Sequence, residues 1–113
     1  MSPSYINHIS HLSSLIAHRR YVYMFGALGR SGDLEGMGRI LEELKQDANV
    51  DITLMHITAL IYQYGCAKDQ QKVDEVYDLM LELEMIPDEK LNEVLIHVAN
   101  VDPLSVVWNA QRS

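Results

Sequence analysis

The residues of this chain whose types could do chemistry are five histidines, one cysteine and a short basic run. His8 and His11 stand three apart on a helical stretch, a spacing that lets two imidazoles share a metal ion. No carboxylate lies between Met1 and Arg30, so further ligands would have to come from elsewhere in the fold. Two surface histidines read the same way, and no metal is expected. His56 and His97 have no adjacent Ser or Cys pair to activate. Cys66 falls at a turn near Lys68. Its expected role is packing in the turn. Gly36-Met37-Gly38 follows no strand and lacks a third Gly, so it is not a dinucleotide fingerprint. Gly26-Ala27-Leu28-Gly29 lies inside an apolar stripe and does not read as a phosphate-clamping loop. Glu42-Glu43 and Asp74-Glu75 are adjacent and solvated, not an opposed acid and base. No nucleophile, acid and base converge, so neither catalysis nor a cofactor is expected.

His18-Arg19-Arg20 and Arg30 are the one concentration of positive charge. They suit contacts to phosphates or to an acidic protein surface. Tyr21 and Tyr23 lie beside the Arg pair and have rings on which bases stack. Tyr21 also falls on an apolar stripe, which places it in the core.

The elements that position these residues are set by length and pattern. The chain has 113 residues, 48% apolar, with a net charge of −7. That suffices for one domain. A single Cys excludes an internal disulfide. No apolar run reaches the roughly 18 residues of a membrane span. The charge is uneven: residues 1–60 carry −1 and residues 61–113 carry −6. An acidic total disfavours a general nucleic-acid coat. No acid precedes Asp33, and the acid-free, Ser-rich start with its Arg pair has some character of a mitochondrial transit peptide. The plainer readings are that a stretch of this length lacks acids by chance, or that this face meets something negative.

Strand signals are scarce and helical periodicity runs throughout. The stripes are Tyr21, Met24, Phe25, Leu28; then Leu34, Met37, Ile40, Leu41, Leu44; then Ile57, Leu60, Ile61, Tyr64; then Val73, Val76, Tyr77, Met80; then Leu91, Leu95, Val98. Ile6–Ala17 reads as a separate N-terminal helix, and Asp102-Pro103 as a further helix start. Turns are expected over Gly29–Asp33, at Asn49-Val50-Asp51, and around Gly65 to Asp69.

Sliding the chain by 36 residues lays one helix pair on the next. Tyr21 falls on Ile57, Phe25 on Ile61, Met37 on Val73, Leu44 on Met80, and Gly29 on Gly65. Such self-similarity signals stacked helical hairpins, which share a continuous core because one pair cannot bury both its faces. The Trp, Leu-Gly and Tyr pattern of the tetratricopeptide repeat is absent. Residues 54–88 instead resemble a pentatricopeptide repeat. Ile57-Thr58-Ala59-Leu60-Ile61-Tyr62-Gln63-Tyr64 is similar to the family's first helix. Val73 to Met80, then Glu84-Met85-Ile86-Pro87-Asp88, is similar to its second helix and tail. Departures are Val73 for a small residue, and Lys68 and Glu84 for Gly. Residues 18–53 resemble a degenerate copy that keeps Ser31-Gly32-Asp33-Leu34, and residues 89–113 a partial one.

The resemblance implies an all-α, right-handed helical-hairpin repeat solenoid of about six to seven helices in a single domain, with residues 1–17 as an N-terminal helix. It implies a mitochondrial, non-catalytic protein of organellar gene expression that contacts single-stranded RNA or an RNA-containing machine. Each repeat of the family reads one base with two side chains, which here match Thr58 and Asp88. The matching first-helix residues in the other copies are Val22 and Glu93; the first cannot read a base edge and the second repels phosphate. Thr58 also reads as a plain polar helix residue and Asp88 as an N-cap. Arg19, Arg20 and Arg30 are the expected contacts to phosphate or to an acidic partner. The alternative is a scaffold that binds protein subunits of a large mitochondrial assembly, a ribosome or respiratory complex, with Trp108 as an interface candidate. The chain also reads as one segment of a longer repeat protein.

Overall fold

A computed structural model describes the backbone of residues 3–99 and the side chains of residues 13–98. It contains five helices: α1 (Pro3–Ser31), α2 (Leu34–Gln46), α3 (Leu54–Cys66), α4 (Gln70–Glu82) and α5 (Glu89–Ala99). Among the described residues there is no strand, so the protein is all-α. The expected helix start at Asp102 and Trp108 lie outside the described residues.

The N-terminal stretch differs from expectation. Ile6–Ala17 and the Tyr21–Leu28 stripe belong to one helix of 29 residues, α1. Nothing between them stops a helix: His18-Arg19-Arg20 offers no Gly, no Pro and no N-capping side chain. His18 Nδ1 donates back to the Ser14 carbonyl at 2.8 Å, one turn earlier, and adds to the helix there. The first turn is also shorter than the sequence suggests. Gly29, Arg30 and Ser31 remain helical, and the chain reverses at Gly32-Asp33.

Three helix ends use one device. Gly32, Lys68 and Glu84 adopt left-handed φ values of 82°, 61° and 59°. At the first, Gly32 N–H donates to Gly29 O (3.1 Å) and Asp33 N–H to Leu28 O (2.9 Å). At the second, Lys68 N–H donates to Gly65 O (3.0 Å) and Asp69 N–H to Tyr64 O (3.0 Å). At the third, Glu84 N–H donates to Leu81 O (3.0 Å) and Met85 N–H to Met80 O (3.1 Å). This paired closure satisfies carbonyls that a helix end leaves open. The next helix then starts on a carboxylate cap. Asp33 accepts from Gly36 N–H at 2.8 Å, and Asp69 from Lys72 N–H at 3.2 Å. Turn, cap and helix limits of α2 therefore recur 36 residues later in α4.

The helices pack in a repeating order. α1 carries α2, and α3 packs against α1, α4 and α5. Among the described residues the core is Phe25, Met37, Leu44, Val50, Ile57, Leu60, Ile61, Tyr64, Val73, Val76, Met80 and Leu91, with His56 as the one buried polar or charged residue. Two glycines let the odd-numbered helices meet closely. A Cβ on Gly29 of α1 would lie 2.7 Å from Gln63 Cβ of α3. A Cβ on Gly65 of α3 would lie 2.6 Å from Val98 Cβ of α5. Gly65 is the equivalent of Gly29, and Val98 follows Gln63 by 35 residues, so one contact occurs twice. The contacts of His56 with Tyr21 and Phe25, two turns earlier, show that α1 and α3 run parallel.

Candidate functional site

Thr58 lies on α3 and is half-buried. Its hydroxyl donates to the Leu54 carbonyl at 2.7 Å, within its own helix. The proton is thus committed, and the oxygen is left with acceptor capacity only. Asp88 caps α5: its Oδ1 accepts from Leu91 N–H at 2.8 Å. Its second oxygen remains an acceptor. The pair named by the repeat pattern therefore has structural work at both positions. It offers two acceptors and no donor to a ligand.

The basic residues have different surroundings. Arg19 and Arg20 are exposed on α1. With Ile16, Tyr23, Met24 and Ala27 they line a shallow depression along one side of that helix. The spacing i, i+3, i+4, i+7 places them on a single face. Ile16 is 62% exposed and Tyr23 72%. Arg30 is eleven residues beyond Arg19, about three turns and ~16 Å along the axis. Its guanidinium folds back over Gly26, where a Cβ would lie 3.1 Å from Nη1. α1 thus presents cations among apolar side chains, and no acid stands among these residues.

Tyr21 and Tyr23 part company. Tyr21 is half-buried, and its hydroxyl donates to Asp47 Oδ2 at 2.8 Å, tying α1 to the end of α2. Burial first, and this carboxylate second, push its pKa up to about 12. The Asn49 backbone N–H first, and Tyr21 second, hold the Asp47 carboxyl below its usual range. Tyr21 is therefore not a stacking platform, and Tyr23 is the free ring.

His56 was legible only as a histidine without a catalytic neighbour. In the structure it is the hub between α1 and α3. Its ring is fully buried and stacks on His18 at 5.3 Å between centroids, with planes 16° apart. Tyr21 and Phe25 meet it edge-on at 6.0 and 6.4 Å. Nε2–H donates to the His18 carbonyl at 3.0 Å, while Nδ1 accepts from Thr53 N–H at 3.1 Å. Each ring nitrogen has its role fixed, so the neutral tautomer with the proton on Nε2 fits this site. Burial, the largest cause, lowers the His56 pKa. The signal that points to it in the sequence is Thr53-x-x-His56, an N-cap followed by an acceptor three residues later.

Cys66 is exposed at the end of α3 instead of packed into the turn. A hydrogen bond with Cys66 is the first cause of the raised Tyr62 pKa. His8 and His11 fall on α1, with side chains outside the described residues. Among the described residues no group of three or more His, Cys, Asp or Glu converges. None of the described helices is long and apolar enough to cross a membrane. Comparison with family models, curated proteins and solved structures finds no match for this chain.

Proposed function

We propose that this protein is a helical-repeat scaffold that binds protein, built from stacked hairpins of the pentatricopeptide type. The carrying observation is the doubled glycine contact, Gly29 with Gln63 and Gly65 with Val98, between odd-numbered helices one repeat apart. Turns at the same spacing support the reading. So does left-handed backbone at Lys68 and Glu84, the two positions where the resembled repeat carries Gly. A hairpin stack leaves end faces without a neighbour, and those faces are where further helices dock. The role proposed is a non-catalytic subunit in a large mitochondrial assembly. Mitochondrial residence rests on the family resemblance and on the acid-free start. It is tested by fractionation of cells expressing the tagged chain.

A second reading, contact with single-stranded RNA, is favoured by the Arg19/Arg20 face with exposed Tyr23. Against it stand the committed Thr58 hydroxyl and the Asp88 cap, together with Val22 and Glu93 at the matching positions. A titration with short labelled RNAs, with and without guanine, at two salt concentrations separates the readings. The scaffold predicts binding that ignores base identity and vanishes as salt rises. It also predicts crosslinks to protein that survive nuclease. Guanine-dependent affinity that persists at physiological salt and is lost in Thr58→Val would establish the RNA reading instead.

A further inference from the structure

α3 differs from α2, α4 and α5 in what closes its first turn. Those three helices start on carboxylates: Asp33 accepts from Gly36 N–H, Asp69 from Lys72 N–H and Asp88 from Leu91 N–H. α3 starts on Thr53, and Thr53 N–H is held at 3.1 Å by a ring nitrogen, His56 Nδ1. Of these four starts it alone is closed by an imidazole. Imidazole is the side chain whose ordinary pKa, about 6.5, lies in the neutral range.

His56 also stands where a positive charge has little support. It is 0% exposed. It is the third residue of α3, and a helix N-terminus disfavours a cation. Two titratable groups of α1 face it. His18 stacks on the ring and brings a like charge when protonated. Tyr21 meets the ring edge-on, and its hydroxyl is committed to Asp47 Oδ2 at the end of α2. Glu43 and Arg20 act on Tyr21 and not on His56. Among the described residues His18 is the one group whose charge acts on the ring; none of α2, α4 or α5 does. Burial first, and the His18 charge with it, favour the neutral form.

We propose that His56 is a pH-operated latch at the joint between the two hairpins: a second ring proton frees the start of α3 from α1. In the neutral ring Nε2–H donates to the His18 carbonyl and Nδ1 accepts from Thr53 N–H. A proton taken from solvent onto Nδ1 makes both nitrogens donors. Nδ1–H then faces Thr53 N–H, donor against donor. The Thr53 hydroxyl lies 3.3 Å from Nδ1 and can turn to accept, but Thr53 N–H still loses its partner. The imidazolium gains hydration by leaving the seam, and the His18 stack and carbonyl bond go with it. At the other end of the seam Gly29 meets Gln63, and neither titrates, so the opening falls at the His56 end. A surface that spans both hairpins is thus held in register at neutral pH and loses it in mildly acidic solution. This device goes beyond the scaffold reading and does not depend on it.

The test is hydrogen exchange of the full chain, followed by nuclear magnetic resonance at about pH 7.5 and about pH 5.5, either side of the ordinary imidazole pKa. Rates are corrected for intrinsic exchange. Ile57 N–H donates to Thr53 O, Met37 N–H to Asp33 O and Val73 N–H to Asp69 O, each at 3.1 Å, so three helix starts are matched. Protection at Thr53 and Ile57 is expected to fall on the order of tenfold at the lower pH, because the freed ring takes up a proton that the closed one refuses. Met37 and Val73, whose turns open by fraying of their own helices, are expected to hold. His56→Gln keeps a neutral acceptor at the third helical position and should abolish the fall. The ring nitrogen shifts of the unsubstituted chain test the same point without a mutation: Nδ1 is expected to carry no proton at the higher pH. Constant protection at Thr53 and Ile57 overturns the latch. So does an equal fall at all four amides, a fall that persists in His56→Gln, or a neutral ring with its proton on Nδ1.

Discussion

The first and second hairpins of this protein share their turns and differ in their cores. Their reversals at Gly32-Asp33 and Lys68-Asp69 agree in hydrogen-bond partners, and their distances agree to about a tenth of an ångström. Yet Ile57, Leu60, Ile61 and Tyr64 of α3 are all buried, while of their equivalents in α1 only Phe25 is; Tyr21, Met24 and Leu28 stay half-buried. The apolar pattern is the same. The difference is neighbours: among the described residues α3 has α1, α4 and α5 around it, whereas α1 packs against α2 and α3. Equal sequence pattern therefore yields unequal stabilisation, because burial energy depends on the apolar area removed from water by whatever stands opposite.

The sharpest way to break this comparison is in the core. Leu60→Ala is expected to cost about 3 kcal/mol, within the range for a fully buried Leu. Met24→Ala at the equivalent, half-buried site should cost about 1 kcal/mol, since less area is lost. Urea denaturation measures both, and equal losses would refute the account by neighbours. Next come the glycines. Gly65→Ala is expected to cost about 2 kcal/mol, an overpacking penalty, because Val98 presses its branched Cβ on the site. Gly29→Ala should cost about 1 kcal/mol, as part of the clash is with the movable end of Gln63. The same denaturation series reads both, and a neutral Gly65→Ala would mean that α5 is not seated as described.

The turns carry smaller effects of opposite sign. Gly32→Ala introduces a Cβ at φ 82° and should cost about 1 kcal/mol. Lys68→Gly relieves the same strain at φ 61° and should stabilise by up to about 1 kcal/mol, seen as a raised Tm. The last test concerns the hub between the hairpins. His56 has a lowered pKa in the folded state, so the unfolded chain binds more protons as pH falls below about 6.5. The stability due to the neutral ring is complete above that value and is lost progressively below it. His56→Gln should flatten this part of the stability–pH profile, measured by urea midpoints between pH 5 and 8. An unchanged slope would show that His56 does not govern it.

Much of the fold is legible from local signals. Asp88 reads as a cap and acts as one, and Asp33 and Asp69, at the ends of expected turns, do the same, because a carboxylate reaches the orphan N–H groups within three residues and needs nothing distant. The stripes Ile57 to Tyr64 and Val73 to Met80 read as core and are core. The long α1 was harder to read: a capless run such as His18-Arg19-Arg20 neither starts nor stops a helix, so it shows no boundary and no continuity. The candidate site was less legible still. Thr58 and Asp88 could be named from a pattern, but their hydrogen bonds to Leu54 and Leu91 decide what capacity is left over. His56 gave almost no warning, because its partners His18, Tyr21 and Phe25 lie 31 to 38 residues away.

By itself, then, the amino-acid order determined helical character and the caps, which arise from interactions within a few residues, and it carries a 36-residue apolar period. Only the tertiary structure decided which copies of the pattern are covered. Phe25, Ile61 and Ile96 occupy one position of one pattern; the first two are fully buried and the third is 52% exposed. The hydrophobic effect has no direction along the chain, so what lies across from a side chain, and not the residues beside it, sets its burial.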